Sequence, residues 1–326
     1  MRQRLPASAY IEGILSGNRY MLSRAITLVE SKLSPDNELA DQIIEALMPH
    51  TGQSLRIGIT GVPGVGKSTF IESFGYKILN LGYRLAVLAI DPSSQTSKGS
   101  ILGDKTRMEL LSQDERAYIR PSPAGSSLGG VAARTREAML LCEAAGYNVI
   151  FIETVGVGQS ETVVRQMTDF FLLLMLAGAG DDLQGIKRGI IEMADLLLIN
   201  KADGDNLRNA QKAQNQYKQA LHLFPPPSSG FFPQVLLASA LEKKGLDEVW
   251  DTIEQFKSMV LGNGFFAYNR AEQAVHWLNE QLTFLLKKHF FEREDFDIHF
   301  QKAEEAVRNQ QKSPQRAATE LIQKLL

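Results

Sequence analysis

Short runs of apolar residues recur through the middle of the chain, at positions 55–60, 84–90, 117–120, 148–153, 170–176, 195–200 and 234–239. Most are unbroken Val/Ile/Leu stretches rather than alternating ones, the pattern of strands covered on both faces. Helical stretches separate them, so a doubly wound, mostly parallel α/β sheet is predicted. Ahead of the sheet, residues 8 to about 50 read as helix. Met21, Leu22, Ala25, Ile26 and Val29 mark one face, and Leu39, Ile43, Ile44 and Leu47 another, with a stop and restart at Ser34-Pro35-Asp36. Beyond Gly245 the pattern predicts helices at 245–261, 269–290, about 295–310 and 313–326. Ala274, Leu278, Leu282 and Leu285 give the second of these an apolar stripe, with Trp277 and Phe284 beside it. A folded-back helix and a dimer interface both account for such a stripe. The predicted organisation is a helical segment over 1–50, an α/β domain over 51–262 and a helical extension over 263–326.

Composition adds exclusions. The chain has 326 residues, 44% hydrophobic and 22% charged, with a formal net charge of −2. That balance gives no bulk attraction to nucleic acid or anionic lipid. The one cysteine, Cys142 in Met139-Leu140-Leu141-Cys142, permits no intrachain disulfide and suits a reducing cytoplasm. Met1–Pro6 lacks the apolar core of a signal peptide, and Phe170–Ala177 is too short to span a bilayer. A cytoplasmic protein with no membrane partner is expected. His276, His289 and His299 have neither metal-ligand spacing nor cysteine company, so no metal site is assigned to them.

The chemistry is expected where the predicted strands end. After 55–60 comes Gly61-Val62-Pro63-Gly64-Val65-Gly66-Lys67-Ser68-Thr69, a G-x-x-x-x-G-K-[ST] loop between a strand and a helix. Such a loop wraps backbone N–H groups around phosphate oxygens at the positive end of a helix. Lys67 would reach the β- and γ-phosphates and the Ser68 hydroxyl would bind Mg²⁺. The second strand ends in Asp91-Pro92-Ser93-Ser94, where Asp91 is placed to contact Mg²⁺ directly or through water; an Asp-Pro turn is the plainer reading. The polar, glycine-punctuated stretch Thr96–Arg107 suits a switch ordered by the γ-phosphate and its metal, or a solvated loop.

The fourth strand ends in Glu153-Thr154-Val155-Gly156-Val157-Gly158-Gln159-Ser160-Glu161. An acid closing an apolar strand has the form of a Walker B segment, acting through a metal-bound water or by orienting the nucleophile. Gln159 is a second candidate to position the attacking water, although its offset differs from that of Ras-like enzymes. Ala177–Gly189 is long for a simple connection and is either functional or an ordinary loop. The sixth strand ends in Asn200-Lys201-Ala202-Asp203. A carboxylate at Asp203 accepts two hydrogen bonds from the N1–H and 2-amino group of guanine, which adenine cannot supply. Lys201 would lie along base and ribose while Asn200 braces the loop. The last strand runs into Ser239-Ala240-Leu241, where a backbone N–H can contact guanine O6.

Taken together, Gly61–Ser68, Asp91–Ser94, Gly99–Arg107, Glu153–Glu161, Gly180–Gly189, Asn200–Asp203 and Ser239–Leu241 make the chain resemble the MeaB/ArgK family of P-loop GTPases, in older usage LAO/AO transport system kinases. The resemblance spans nearly the whole length. It implies a GTP-hydrolysing chaperone of an adenosylcobalamin-dependent acyl-CoA mutase, typically methylmalonyl-CoA mutase, that gates cofactor loading and protects the mutase. It further implies GTP/GDP and Mg²⁺ as ligands, with Mg²⁺ handled by Ser68, Asp91, Asp104 and Glu153, and a homodimer joined through the C-terminal helices. The segment 178–189 matches a third switch that couples nucleotide to mutase. A kinase or ATPase of a lysine-arginine-ornithine transport system is the alternative, and Asn200–Asp203 counts against an ATP user.

Overall fold

The computed structural model describes residues 4–90, 108–121, 128–154, 160–178, 188–293 and 295–325. Within it the chain divides into two compact units, 1–273 and 274–326. Three helices open the first unit: α1 (Ala7–Leu15), α2 (Arg19–Val29) and α3 (Ser34–Leu47). Pro35 starts α3 where its missing N–H costs nothing. The break between α1 and α2 is not in the helical periodicity. Gly17 turns the chain at φ +74°, and the Asn18 side chain accepts from Tyr20 N (3.0 Å) and Met21 N (3.2 Å), capping α2. Asn18→Ala is expected to cost about 1 kcal/mol, read as a lower urea midpoint with an unchanged slope.

The sheet has seven strands: β1 (Leu55–Gly61), β2 (Leu85–Ile90), β3 (Ala117–Arg120), β4 (Val149–Thr154), β5 (Phe170–Leu176), β6 (Leu196–Asn200) and β7 (Gln234–Leu237). Their order is β3-β2-β4-β1-β5-β6-β7, and every pairing is parallel. The sheet is covered by α4 (Lys67–Asn80), α5 (Glu109–Gln113), α6 (Leu128–Ala144), α7 (Ser160–Arg165), α8 (Arg188–Glu192), α9 (Leu207–Leu221) and α10 (Leu246–Gly262). This cover explains why β1, β2 and β4 are buried at every position. Between sheet and helices, Phe74 of α4 stacks on Phe151 of β4 at 5.7 Å, and Phe170 of β5 meets Phe256 of α10 edge-on at 5.0 Å.

Register places the site. Ile59 pairs with Glu153, Gly61 with Leu174, and Leu176 with Asn200. The parallel strands therefore finish along one edge, with β1 between β4 and β5 where connections leave in both directions. Ligands bind at such a point in open parallel sheets. β7 stops at Leu237, two residues short of the expected end. Ser239 instead bridges antiparallel to Lys244, and the chain reverses through Lys243 (φ +58°) and Gly245 (φ +76°). Ser239–Leu241 thus lies in a closed turn.

At the opposite edge a buried polar network replaces apolar packing. Arg56 of β1 forks onto Glu143 of α6 at 2.8 and 3.0 Å. Glu143 also accepts from Ser54 Oγ and from Gly52 N. Burial pushes the Glu143 carboxyl up, but the bonds and charge of Arg56, with Ser54 and Arg270, hold it below the usual carboxylate value. Helix α11 (Phe265–Phe291) enters this network through Arg270 and Gln273.

The second unit holds the rest of α11 with α12 (Phe296–Arg308) and α13 (Pro314–Leu325), the latter two packed on each other. Phe290, Phe291, Phe296 and Phe300 form an aromatic cluster, with centroids 5.0 to 5.6 Å apart. On α11, Leu278, Leu282 and Leu285 are 67%, 53% and 50% exposed. No helix is long and apolar enough to cross a membrane among the described residues.

Candidate active site

The loop after β1 is shaped by two glycines. A Cβ on Gly61 would sit 2.5 Å from the carbonyl oxygen of Leu174, so only glycine lets β1 and β5 approach there. Gly66, at φ +89°, turns the backbone into the first residue of α4, and a Cβ would crowd Asn200 Nδ2 at 3.1 Å. Val65 is buried and plugs the loop into the core, Val62 is half-buried, and Pro63, Gly64 and Thr69 face solvent. The N–H groups that open α4 and its positive end are therefore presented at the sheet edge.

Lys67 opens α4 and folds back so that Nζ donates to Gly61 O at 2.7 Å. Burial lowers its pKa, while the charges of Glu153 and Glu161 oppose that shift. The ammonium is thus held beside two acids over the loop. Ser68 follows, half-buried in the first turn. Glu153 and Thr154 close β4; both are buried, and Thr154 Oγ1 lies 2.7 Å from Thr60 Oγ1. A hydroxyl at Ser68 and a carboxylate at Glu153 are hard oxygen donors beside the loop, the donor type Mg²⁺ takes. Asp91, Asp104 and Gln159 lie outside the described residues, as do all of Thr96–Arg107 and most of Gly180–Gly189.

The base end is built from two more loops tied to the first. Asn200 donates from Nδ2 to Val65 O at 2.8 Å, and its Oδ1 accepts from Ala240 N at 3.2 Å. One side chain thus joins the phosphate loop to the turn after β7. Lys201, in the left-handed region at φ +57°, carries its Nζ back to Gly64 O at 2.8 Å, and Asn206 Nδ2 fixes its carbonyl at 2.7 Å. Asp203 accepts the hydroxyl of Ser239, whose oxygen accepts from Glu242 N at 3.0 Å. Ala202 N donates to Ala238 O at 3.0 Å. Ser239 and Ala240 are buried, while Leu241 is 80% exposed. Sequence reasoning missed Thr60, Asn206 and Ser73, whose hydroxyl donates to Ala240 O at 2.8 Å. No motif marks them, because each works through a fold contact.

A phosphate loop after β1, an acid closing β4 and an N-K-x-D loop after β6, all on one edge of a parallel sheet, define a P-loop GTPase. The chain binds and hydrolyses GTP. Residues 22–295 match the family of the methylmalonyl Co-A mutase-associated GTPase MeaB, and the chain belongs to that family. It is 48% identical over 316 residues to GTPase ArgK of Escherichia coli (strain K12), covering 96% of each chain. It is 45% identical over 320 residues to the mitochondrial methylmalonic aciduria type A homolog of Mus musculus, covering 95% of this chain and 77% of the relative. The crystal structure of a LAO/AO transport system kinase superposes with a TM-score of 0.78 at 41% identity, covering 99% of this chain and 98% of that one.

Proposed function

We propose that this GTPase is the nucleotide-dependent chaperone of an adenosylcobalamin-dependent acyl-CoA mutase, methylmalonyl-CoA mutase first among them, gating cofactor loading and protecting the mutase. The observation that carries the guanine half is the base site tied to the phosphate loop through Asn200. The mutase half is supported by the family to which the chain belongs.

In this reading the amides of Gly61–Thr69 hold the phosphates, and Lys67 leaves Gly61 O for the β- and γ-oxygens. Ser68 and Glu153, with Asp91 and Asp104, would hold Mg²⁺. Bound there, the ion would supply positive charge against the phosphates. Glu153 or Gln159 orients the attacking water. Asn200 keeps the loops in register, the Lys201 stem lies on the base, and Asp203 reads N1–H and the 2-amino group. A backbone N–H of Ser239–Leu241 reads O6. The segments 1–50, 51–262 and 263–326 serve as helical buttress, G domain and dimerisation extension. For the last, Val275, Leu278, Leu282 and Leu285 alternate three and four residues apart and are all exposed, the spacing of a helix seam awaiting a second copy.

The test is co-purification of the full chain with a B12-dependent mutase in GDP and in a non-hydrolysable GTP analogue. Capture in one state only is expected. No capture in either state sinks the mutase half and leaves the GTPase standing.

A further inference from the structure

Ser73 lies two turns into α4, on the helix whose first residue is Lys67. Its hydroxyl donates to the carbonyl of Ala240 at 2.8 Å. The chain contains no cis peptide bonds among the described residues, and a trans peptide is planar with its C=O and N–H pointing opposite ways. Fixing the Ala240 oxygen towards α4 therefore aims the N–H of the same peptide unit, that of Leu241, away from α4. The neighbouring N–H groups are committed elsewhere: Ser239 N donates to Lys244 O at 3.0 Å and Ala240 N to Asn200 Oδ1 at 3.2 Å. Both anchors reach back to the phosphate loop, Asn200 through Val65 O and Ser73 through the helix itself. The turn after β7 is thus oriented by the element that holds the phosphates.

We propose that Ser73 is a positioning residue for guanine: by holding the Ala240 carbonyl it aims the Leu241 N–H at O6 of the base. The inference rests on the guanine reading of this site and assigns O6 recognition within it to one peptide and one helix hydroxyl. Ser73 itself touches no nucleotide. Asp203 reads the adjacent N1–H and 2-amino group, so the two contributions separate when the base is altered one group at a time.

The experiment uses the full chain and its Ser73→Ala and Ser73→Thr variants, with affinities measured for GDP, 6-thio-GDP, IDP and ADP. Sulfur at position 6 is a poor acceptor, whereas IDP keeps O6 and N1–H and lacks only the 2-amino group. Alanine is a good helix former, so α4 should persist in Ser73→Ala. Loss of one oriented hydrogen bond is expected to weaken GDP and IDP about five-fold while 6-thio-GDP changes little. The preference for GDP over 6-thio-GDP then narrows by that factor and the preference over IDP stays constant. Ser73→Thr, which keeps the hydroxyl, restores the wild-type ratios. Equal weakening of GDP, 6-thio-GDP and IDP would mean a purely structural hydroxyl and overturn the proposal. So would no change at all. A wild-type chain that binds ADP as well as GDP would overturn the guanine reading itself, a separate outcome from either.

Discussion

Asp203→Asn is expected to cost GDP and GTP on the order of a thousand-fold in affinity and to create binding of xanthine nucleotides. A carboxylate offers only acceptors, and guanine presents two adjacent donors, N1–H and the 2-amino group. An amide keeps one acceptor and turns an NH₂ against the other donor, so one charged hydrogen bond is lost and one donor is left opposed by another. Losses of roughly 2 kcal/mol each account for the thousand-fold figure. Xanthine carries an oxygen where guanine carries the amine, and that oxygen accepts from the new NH₂. The site tolerates the exchange because the other duty of Asp203, accepting the Ser239 hydroxyl, falls equally to the amide oxygen. Asn200, Lys201 and the phosphate loop are untouched. Equilibrium titration with GDP, XDP and ADP decides the matter. Undiminished GDP affinity in the variant would remove Asp203 from base recognition, and a gain for ADP would mean the pocket had simply loosened.

Much of this site is legible in the sequence for a physical reason. In a parallel sheet buried on both faces each strand is an apolar run, and the polar residue that ends the run marks the edge where ligands bind. Gly61, Glu153 and Asn200 are such endings, and β4, β1 and β6, the last beyond β5, place them along one edge of the sheet. The loop motifs add chemistry that spacing alone carries. The less legible features depend on contacts between distant positions. Ser239 looks like the tail of a strand until its bridge to Lys244 bends it into a turn. Gly17-Asn18 interrupts a helical pattern whose period runs through it, and only the cap on Tyr20 and Met21 shows the restart. Ser73 is one polar residue on an amphipathic helix, indistinguishable by pattern from a solvated one.

The network below β1 was least legible of all, and it carries the other large expected effect. Arg56 stands out in an apolar strand, but its partner Glu143 lies 87 positions away and Arg270 meets Asp169 across 101. Arg270 is spent completely: Nε and Nη2 fork onto Asp169 at 2.8 and 2.7 Å, Nη2 also reaches Ser54 O at 2.7 Å, Nη1 reaches Gly52 O at 3.3 Å, and the guanidinium lies 4.6 Å over the ring of Phe266. The Asp169 side chain is 2% exposed. Arg270→Met fills the space without the charge and leaves that carboxylate with the Arg56 N–H but without the guanidinium fork that held it. Breaking a buried pair in this way costs about 3–5 kcal/mol, a large share of the roughly 5–15 kcal/mol that holds a domain. For a unit of this size that is a fall in Tm of roughly 10 °C. Arg270→Lys keeps a charge but not the fork, and is expected to fall between. The double variant Asp169→Asn, Arg270→Met removes the stranded charge as well and should recover much of the loss, since the penalty belongs to the unpaired ion rather than to the absent bond. Nucleotide affinity serves as the control: Gly61 lies five positions along β1 from Arg56, about 16 Å of strand, so GDP binding at low temperature should hold while stability falls. If the double variant is no more stable than Arg270→Met alone, the cost lies in lost packing against Phe266 and not in a stranded carboxylate.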